Sequence, residues 1–234
     1  MINENYFDTY FYLSRNKLII SVFQKNNSIK IYDKVLENEN NLKDIDYSKV
    51  EIFLEENIIQ IEKITKNFLN EIYLVIEHKE SLHTSISLKI NNDRNIITED
   101  DINYLLKDAK QQIKQNYFNR SIIHMIIDSY LFDGIKYTYL PKEQNCSNFC
   151  LDIKFICISK KMIKELELIF QSHHIFIGKI ICANYAKDFF SKETLDICTM
   201  ARNIHGGCNE NEIMLIPKTS KKKGIFERFF HFFS

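Results

Sequence analysis

Residues 96–134 of this sequence read IITEDDINYLLKDAKQQIKQNYFNRSIIHMIIDSYLFDG, and this stretch decides the fold. Thr98 can begin a helix because its hydroxyl accepts a hydrogen bond from an amide of the first turn. The carboxylates of residues 99–101 favour the positive end of the helix dipole. Apolar residues then recur at helical spacing, at Ile102, Leu105, Leu106, Ala109 and Ile113. The β-branched run Ser121–Ile127 predicts a buried strand directly after this helix.

This helix and strand resemble the SHS2 subdomain of the FtsA/PilM family of actin-like proteins, which includes the bacterial cell-division protein FtsA. The family's acidic helix start is matched by Thr98, Glu99, Asp100 and Ile102, and its apolar strand by Ile122, Ile123, His124 and Ile126. Asp128 and Ser129 stand where the family has a proline after that strand. The later stretch Phe149–Ile181 resembles the family's strand–helix–strand continuation. The likeness runs in order over residues 8–190 and includes the C-terminal tail.

The predicted fold class is α/β, α+β in detail. The resemblance implies a partial actin-like (ribonuclease H-like) lobe with an SHS2-like insert. The domains expected from it are a partial actin-like lobe at 1–90, the SHS2-like subdomain at 91–172, a return strand and helix at 173–190, a flexible linker at 191–223 and a membrane-targeting amphipathic helix at 224–234. The family's two further actin subdomains, with the second phosphate loop, the adenosine loop and the surface for the tubulin-like protein FtsZ, have no counterpart in this sequence.

Local patterns place the elements of the first lobe. Asn26 and Asn27 tolerate turn geometry, so they predict a hairpin between strands at 17–24 and 28–36. Ser48 and Glu51 form the pattern of a capping box, and the apolar stripe that follows predicts a helix reaching about Asn70. Two further strands are expected at 71–78 and 83–90.

Composition and charge exclude several classes of function. The 31 basic and 31 acidic side chains balance, so no global charge attracts nucleic acid. The first residues lack the basic start and apolar run of a signal peptide, so the six cysteines are expected to be reduced and the protein cytoplasmic. No apolar run approaches the length of a spanning helix.

Nucleotide binding is not expected from this sequence. The family's first hairpin carries an Asp-x-Gly-Ser/Thr phosphate loop, and Ser14, Arg15 and Asn16 stand there instead. None of the five glycines precedes Gly134, although phosphate loops need glycine for close approach of backbone amides. The prediction is a protein without a cofactor and without enzymatic activity; an actin-like ATPase with displaced loops is the less favoured alternative.

Neither metal nor nucleophilic catalysis is predicted. Cys146 and Cys150 have a spacing that zinc permits, but Cys157 and the pair His173–His174 lie in or beside predicted strands, so no metal site is assigned. His124 is expected to be a hydrogen-bonded structural histidine. No catalytic motif surrounds any serine or cysteine.

The C-terminal tail is the predicted membrane-binding site. Residues 224–233 drawn as a helix place six large apolar side chains on one arc and the polar ones opposite, with three lysines just before them. The predicted membrane-binding residues are Lys221, Lys222, Lys223, Ile225, Phe226, Phe229, Phe230, Phe232 and Phe233. The alternative is a terminal helix docked on the protein's own core. The family also ends in an amphipathic membrane-targeting helix, which this tail resembles.

The functional expectation is a non-enzymatic, FtsA-like adaptor of the bacterial cell-division machinery, peripheral on the cytoplasmic face of the inner membrane at the division site. Its expected partners are anionic lipid and divisome proteins, possible ones being FtsZ and a second copy of the chain, with no nucleic acid. The SHS2-like subdomain is the expected protein-contact module, since open sheet edges recruit strands. The alternative is a PilM-like or other membrane-surface assembly scaffold.

Overall fold

A computed structural model of the chain describes residues 6–37, 44–141 and 144–213, which form two β-sheets and five helices. The strands are β1 (Phe7–Leu13), β2 (Lys17–Gln24), β3 (Lys30–Glu37), β4 (Glu71–Ile76), β5 (Leu82–Ile96), β6 (Arg120–Phe132), β7 (Ile135–Tyr137), β8 (Asn145–Ser159) and β9 (Phe176–Cys182). The helices are α1 (Tyr47–Thr65), α2 (Glu99–Asn116), α3 (Lys160–Ser172), α4 (Ala183–Phe189) and α5 (Ile197–His205). This confirms the predicted α/β class.

The first sheet has the strand order β3-β2-β1-β4-β9 and is covered on both faces. Strands β1, β4 and β9 run parallel, and the predicted hairpin adds β2 and β3 antiparallel at one edge. Successive residues of a strand face opposite sides of the sheet, so neighbouring residues of β1 contact the elements that cover its two faces. Phe11 packs between Phe53 of α1 and Phe170 of α3, whereas Tyr10 lies against Tyr73 and His205 on the other side.

The flexible linker predicted for residues 191–223 is wrong as far as the described residues extend. Asp196 caps α5 by accepting from the amides of Cys198 and Thr199. The buried face of α5 consists of Cys198, Ala201 and Ile204, which pack into the core of the first sheet. A sheet that is apolar on both faces must be covered on both, and α5 supplies part of the second cover.

The second sheet has the order β5-β8-β6-β7, all antiparallel, and α2 packs on one of its faces. The predicted domain boundary at 90/91 is wrong because Ile90 lies inside β5, which pairs with β8 from Leu82 onward. The boundary at 172 is also wrong. Helix α3 buries Met162, Leu166 and Phe170 in the core of the first sheet rather than in the second. The return strand and helix predicted at 173–190 are β9 and α4.

The start and end of α1 differ from the sequence pattern. Asp46, not Ser48, is the N-cap, and its carboxylate accepts from the amides of Ser48 and Lys49 at 3.1 and 3.3 Å. Asp and Ser cap helices about equally well, so the tertiary structure and not the intrinsic capping preference determines that Asp46 is the N-cap. The helix ends at Thr65 because Lys66 takes the left-handed conformation. Phe68, which the predicted helix to about Asn70 would include, lies beyond this end and is 76% exposed.

Replacing Asp46 by alanine is expected to lower the free energy of unfolding by about 1 kcal/mol, since two amides of the first turn lose their acceptor. Ser48→Ala and Glu51→Ala, the two members of the discarded capping box, should each change it by much less. Urea denaturation of the three variants checks this. Equal losses for Asp46→Ala and Ser48→Ala would contradict the assignment of the cap.

All nine predicted membrane-binding residues of the tail lie outside the described residues. Within the part of the chain that is described, none of the five helices combines the length and apolarity that crossing a membrane requires.

Candidate functional site

The most prominent candidate site is a groove of about 750 Å³ where the two sheets meet, here called the intersheet groove. Two elements of each half of the fold enclose it. It is lined by Lys110 and Lys114 of α2, Arg120, Ser121, Ile122 and Ile123 of β6, Lys160, Ile163 and Glu167 of α3, and Ile177, Gly178, Lys179 and Ile180 of β9. Its volume lies within the range of ligand-binding clefts, about 300–1,000 Å³.

Gly178 is required where β9 borders the groove. A β-carbon there would lie 2.5 Å from Oε1 of Glu71 and 2.8 Å from the ring of Tyr73. The register between β9 and β4 shifts at this point, between Ile72 and Tyr73. The glycine therefore lets the edge strand bend closely over its neighbour.

The groove combines an apolar floor with a basic rim. Five isoleucines provide the floor, and five basic side chains stand against one carboxylate, that of Glu167. Partial burial and repulsion from Lys114 lower the pKa of Lys110. Arg120 and Lys160 donate to the backbone carbonyls of Glu80 and Phe118, at 2.5 and 2.7 Å. Such a surface favours an apolar ligand that carries negative charge.

A buried polar cluster around His124 is connected to the groove through Lys179. The Nε2 atom of His124 accepts from the Cys182 amide at 2.9 Å, and Nδ1 lies 2.8 Å from Glu212. Tyr185 donates to the other oxygen of Glu212 at 2.9 Å, and Lys179 lies 3.7 Å from the carboxylate. Because Nε2 is an acceptor, His124 is neutral and donates from Nδ1. The predicted hydrogen-bonded structural histidine is confirmed.

The partners of His124 could not be read from the sequence. Glu212 is 88 residues away and lies in the segment predicted as linker. Its side chain is only 6% exposed. Burial opposes its ionisation, but the hydrogen bonds from His124 and Tyr185 and the charge of Lys179 outweigh burial and lower the pKa of this carboxyl.

These contacts predict a loss of stability at mildly acid pH. Burial lowers the pKa of His124 below its ordinary value, and burial likewise lowers the pKa of His205. As pH falls through about 6.5, unfolded chains take up protons on these histidines that folded chains do not. The free energy of unfolding should therefore fall between pH 7 and pH 5, by up to about 2 kcal/mol per histidine. Urea titrations at the two pH values measure it, and a flat profile would contradict the neutral state of His124.

A second cleft, of about 370 Å³, lies where the resemblance placed a phosphate loop. The parallel strands β1, β4 and β9 all end here, the edge of an α/β sheet where ligands usually bind. The turn from Ser14 to Lys17 is tight, since the Ser14 hydroxyl donates to the Lys17 carbonyl and accepts from its amide, both at 3.0 Å. A turn this short does not present the row of amides that a phosphate loop offers.

Side chains also fill this cleft. Glu77 binds Lys187 at 2.5 Å and accepts a hydrogen bond from the hydroxyl of Tyr12. Burial opposes the charge of Glu77, but these two donors outweigh burial and lower the pKa of its carboxyl. A carboxylate thus lies in this cleft, where it would repel a nucleotide phosphate, and Lys187 is already paired with it.

Millimolar Mg-ATP is therefore expected to leave the melting temperature of the protein unchanged. A ligand that binds only the folded state raises stability as its concentration exceeds Kd, so tight binding would be visible as a shift. Thermal scans with Mg-ATP, with Mg-GTP and with tripolyphosphate separate nucleotide recognition from anion binding. A rise specific to ATP would overturn the expectation.

The groups weighed for metal and thiol chemistry are dispersed among the described residues. Cys146 lies buried beside Asn92, and burial raises the pKa of Cys157 to about 11 and that of Cys198 to about 12. Such thiols stay protonated and behave as small apolar side chains. His173, at the end of α3, lies 3.8 Å from the carboxylate of Glu55 on α1.

Comparison with known proteins finds similarity of structure but none of sequence. No protein-family model and no curated protein matches this sequence. The chain superimposes on PilM in a structure of the PilM–PilN type IV pilus biogenesis complex with a TM-score of 0.50 and 5% identity, over 80% of this chain and 49% of that one. The chain has an actin-like fold. This agrees with the partial actin-like lobe that the resemblance implied.

Two further matches have lower TM-scores. The cytoplasmic domain of EpsL, an inner membrane component of the type II secretion system of Vibrio cholerae, gives 0.41 at 7% identity, over 77% of this chain and 58% of that one. A Bacteroides thetaiotaomicron protein of actin-like ATPase fold and unknown function gives 0.33 at 13% identity, over 83% and 61%. The chain thus spans about half to three-fifths of the length of the chains it matches.

Proposed function

We propose that this protein is a non-enzymatic adaptor that binds an extended segment of another protein in the intersheet groove while its C-terminal tail holds it at an anionic membrane surface. The observation that carries the proposal is the groove itself, with its apolar floor and basic rim. Floor and rim together suit a segment in which apolar residues alternate with acidic ones.

The open edge of β9 supports an extended ligand. Among the described residues β9 pairs only with β4, so its other edge, which borders the groove, has backbone groups available for an added strand. Adding a strand to such an edge is a common mode of peptide recognition, with main-chain hydrogen bonds giving affinity and side-chain pockets giving specificity. The floor residues Ile177 and Ile180 belong to this same strand.

The absence of catalysis is part of the proposal. It is supported by the cleft at the ends of the parallel strands, where the carboxylate of Glu77, held by Tyr12 and Lys187, would repel a nucleotide phosphate. It is further supported by the raised pKa of the buried thiols Cys157 and Cys198, which makes them poor nucleophiles.

The machinery served is proposed to be a bacterial envelope assembly at the cytoplasmic face of the inner membrane. The shared fold supports a PilM-like scaffold, since PilM was solved in complex with PilN. The SHS2-like helix and strand and the phenylalanine-rich tail support the alternative, an FtsA-like adaptor at the division site with FtsZ among its partners. Localisation of the full chain to midcell or to another envelope site separates the two.

Photo-cross-linking of the full chain in its native cells tests the groove. Benzoylphenylalanine at Ile163, in the groove, should give a discrete adduct with another protein, whereas the same residue at Ile52, exposed on α1, should not. Lys110→Glu with Lys114→Glu should abolish the adduct by reversing charge on the rim. An adduct that forms equally at both positions, or survives the charge reversal, would overturn the proposal.

A further inference from the structure

Three side chains that can bind a metal ion meet at the surface where α1 and α3 lie side by side. They are the carboxylates of Glu51 and Glu55 on α1 and the imidazole of His173 at the end of α3. One ligand atom of each lies within 4.8 Å of the ligand atoms of the other two. Because the histidine is far from the glutamates in sequence, no local motif indicates this cluster.

The backbone that carries these three groups is held by the core of the first sheet. Phe53, between the two glutamates, and Phe170, one turn before His173, pack against the same phenylalanine ring of β1. After His173 the chain turns sharply, since His174 takes the left-handed conformation and the amide of the buried Ile175 donates to the carbonyl of Phe170 at 2.9 Å. His173 is therefore fixed between two buried residues, and a fixed backbone favours a defined coordination geometry.

The imidazole of His173 has a nitrogen that lacks a hydrogen-bond partner. Its Nε2 atom is shielded from solvent and receives no hydrogen bond from, and donates none to, any described residue. The Oε1 atom of Glu55 lies 3.8 Å from this nitrogen, which is too far for a hydrogen bond. A buried polar atom without a partner costs free energy unless a ligand satisfies it. An ion between the nitrogen and the carboxylates would satisfy it.

The two carboxylates suit the same ion. Glu51 and Glu55 are one turn apart on one face of α1, where like charges disfavour each other. Both side chains are exposed, so they can rotate toward a shared cation. The ligand atoms around a tetrahedral zinc ion lie about 3.3–3.6 Å apart, which small rotations of the glutamates from the present arrangement would reach. One imidazole nitrogen and two carboxylate oxygens are typical ligands of zinc.

We propose that Glu51, Glu55 and His173 form a binding site for a divalent transition-metal cation, with zinc the best match, which clamps α1 to α3. Three protein ligands leave the fourth position of a tetrahedral ion open toward solvent, where water can bind. A bound ion would cross-link the two helices and so stabilise the folded chain as its concentration exceeds Kd. None of the three residues lines the intersheet groove, so this inference does not depend on the proposed function.

Titration of the full chain with zinc chloride, after treatment with EDTA and removal of the chelator, tests this site. Calorimetry should detect binding, and the melting temperature should rise with zinc concentration. Glu55→Gln and His173→Asn should each weaken zinc binding by roughly a hundredfold or more, since each removes a ligand. Magnesium and calcium should have no comparable effect, because they prefer sites with more oxygen ligands.

His174→Asn and Glu56→Gln are the matched controls, because both residues are exposed and each is adjacent to a proposed ligand. Asparagine tolerates the left-handed conformation found at His174. Both controls should bind zinc like the unaltered chain. Cobalt, which absorbs visible light when coordinated, should show a spectrum that His173→Asn removes and His174→Asn keeps. Absence of zinc binding, equal affinity of the ligand and control variants, or calcium binding as tight as zinc binding would overturn the proposal.

Discussion

Glu212→Ala is expected to lower the free energy of unfolding by about 3 kcal/mol, because one buried carboxylate accepts two hydrogen bonds and forms an ion pair with Lys179. The substitution leaves the Nδ1–H of His124 and the hydroxyl of Tyr185 without that acceptor and removes the counter-charge of Lys179. A buried donor left unsatisfied costs about 1–3 kcal/mol, and the losses within one network do not add fully. Glu212→Gln should cost less, since its amide oxygen still accepts.

Glu210→Ala is the matched control, because this glutamate is exposed and two residues away on the same segment. Urea denaturation of the full chain measures all three variants, with the slope of the transition checked for constancy. If the free energy of unfolding falls no more for Glu212→Ala than for Glu210→Ala, residues 211–213 do not hold the two sheets together.

Phe226→Glu combined with Phe230→Glu is expected to reduce binding to anionic vesicles by on the order of a hundredfold. Burying a phenylalanine fully is worth roughly 1.5–3 kcal/mol and about half of that at an interface, and both new charges are repelled by anionic lipid. The tail is too short to be a stable isolated helix in water, so its wild-type binding should be reversible and strengthened by several tails acting together.

Vesicle flotation measures this effect. Phe226→Leu with Phe230→Leu keeps the apolar arc and should float like the wild type. Vesicles of neutral lipid should bind less protein than anionic ones, and salt should weaken the anionic binding because Lys221, Lys222 and Lys223 contribute through charge. If the glutamate variant still floats with anionic vesicles, the tail is not the membrane anchor.

The sequence by itself determined the elements whose signals are local. The acidic start and apolar stripe of α2, capped by Thr98, and the β-branched run of β6 were sufficient because capping and periodicity act over a few residues. The same holds for α3, the helix of the strand–helix–strand continuation expected within Phe149–Ile181.

Only the tertiary structure decided which elements share a core and where the candidate site lies. Helix α5 buries small residues such as Cys198 and Ala201, whose weak apolar signal cannot be distinguished from a loop until the bare face of the sheet is seen. Helix α3 follows β8 directly in the chain but packs under the other sheet. The groove and the contact between His124 and Glu212 join residues that are far apart in sequence. Such contacts form because the two sheets must bury their facing edges together. No local sequence pattern encodes that requirement.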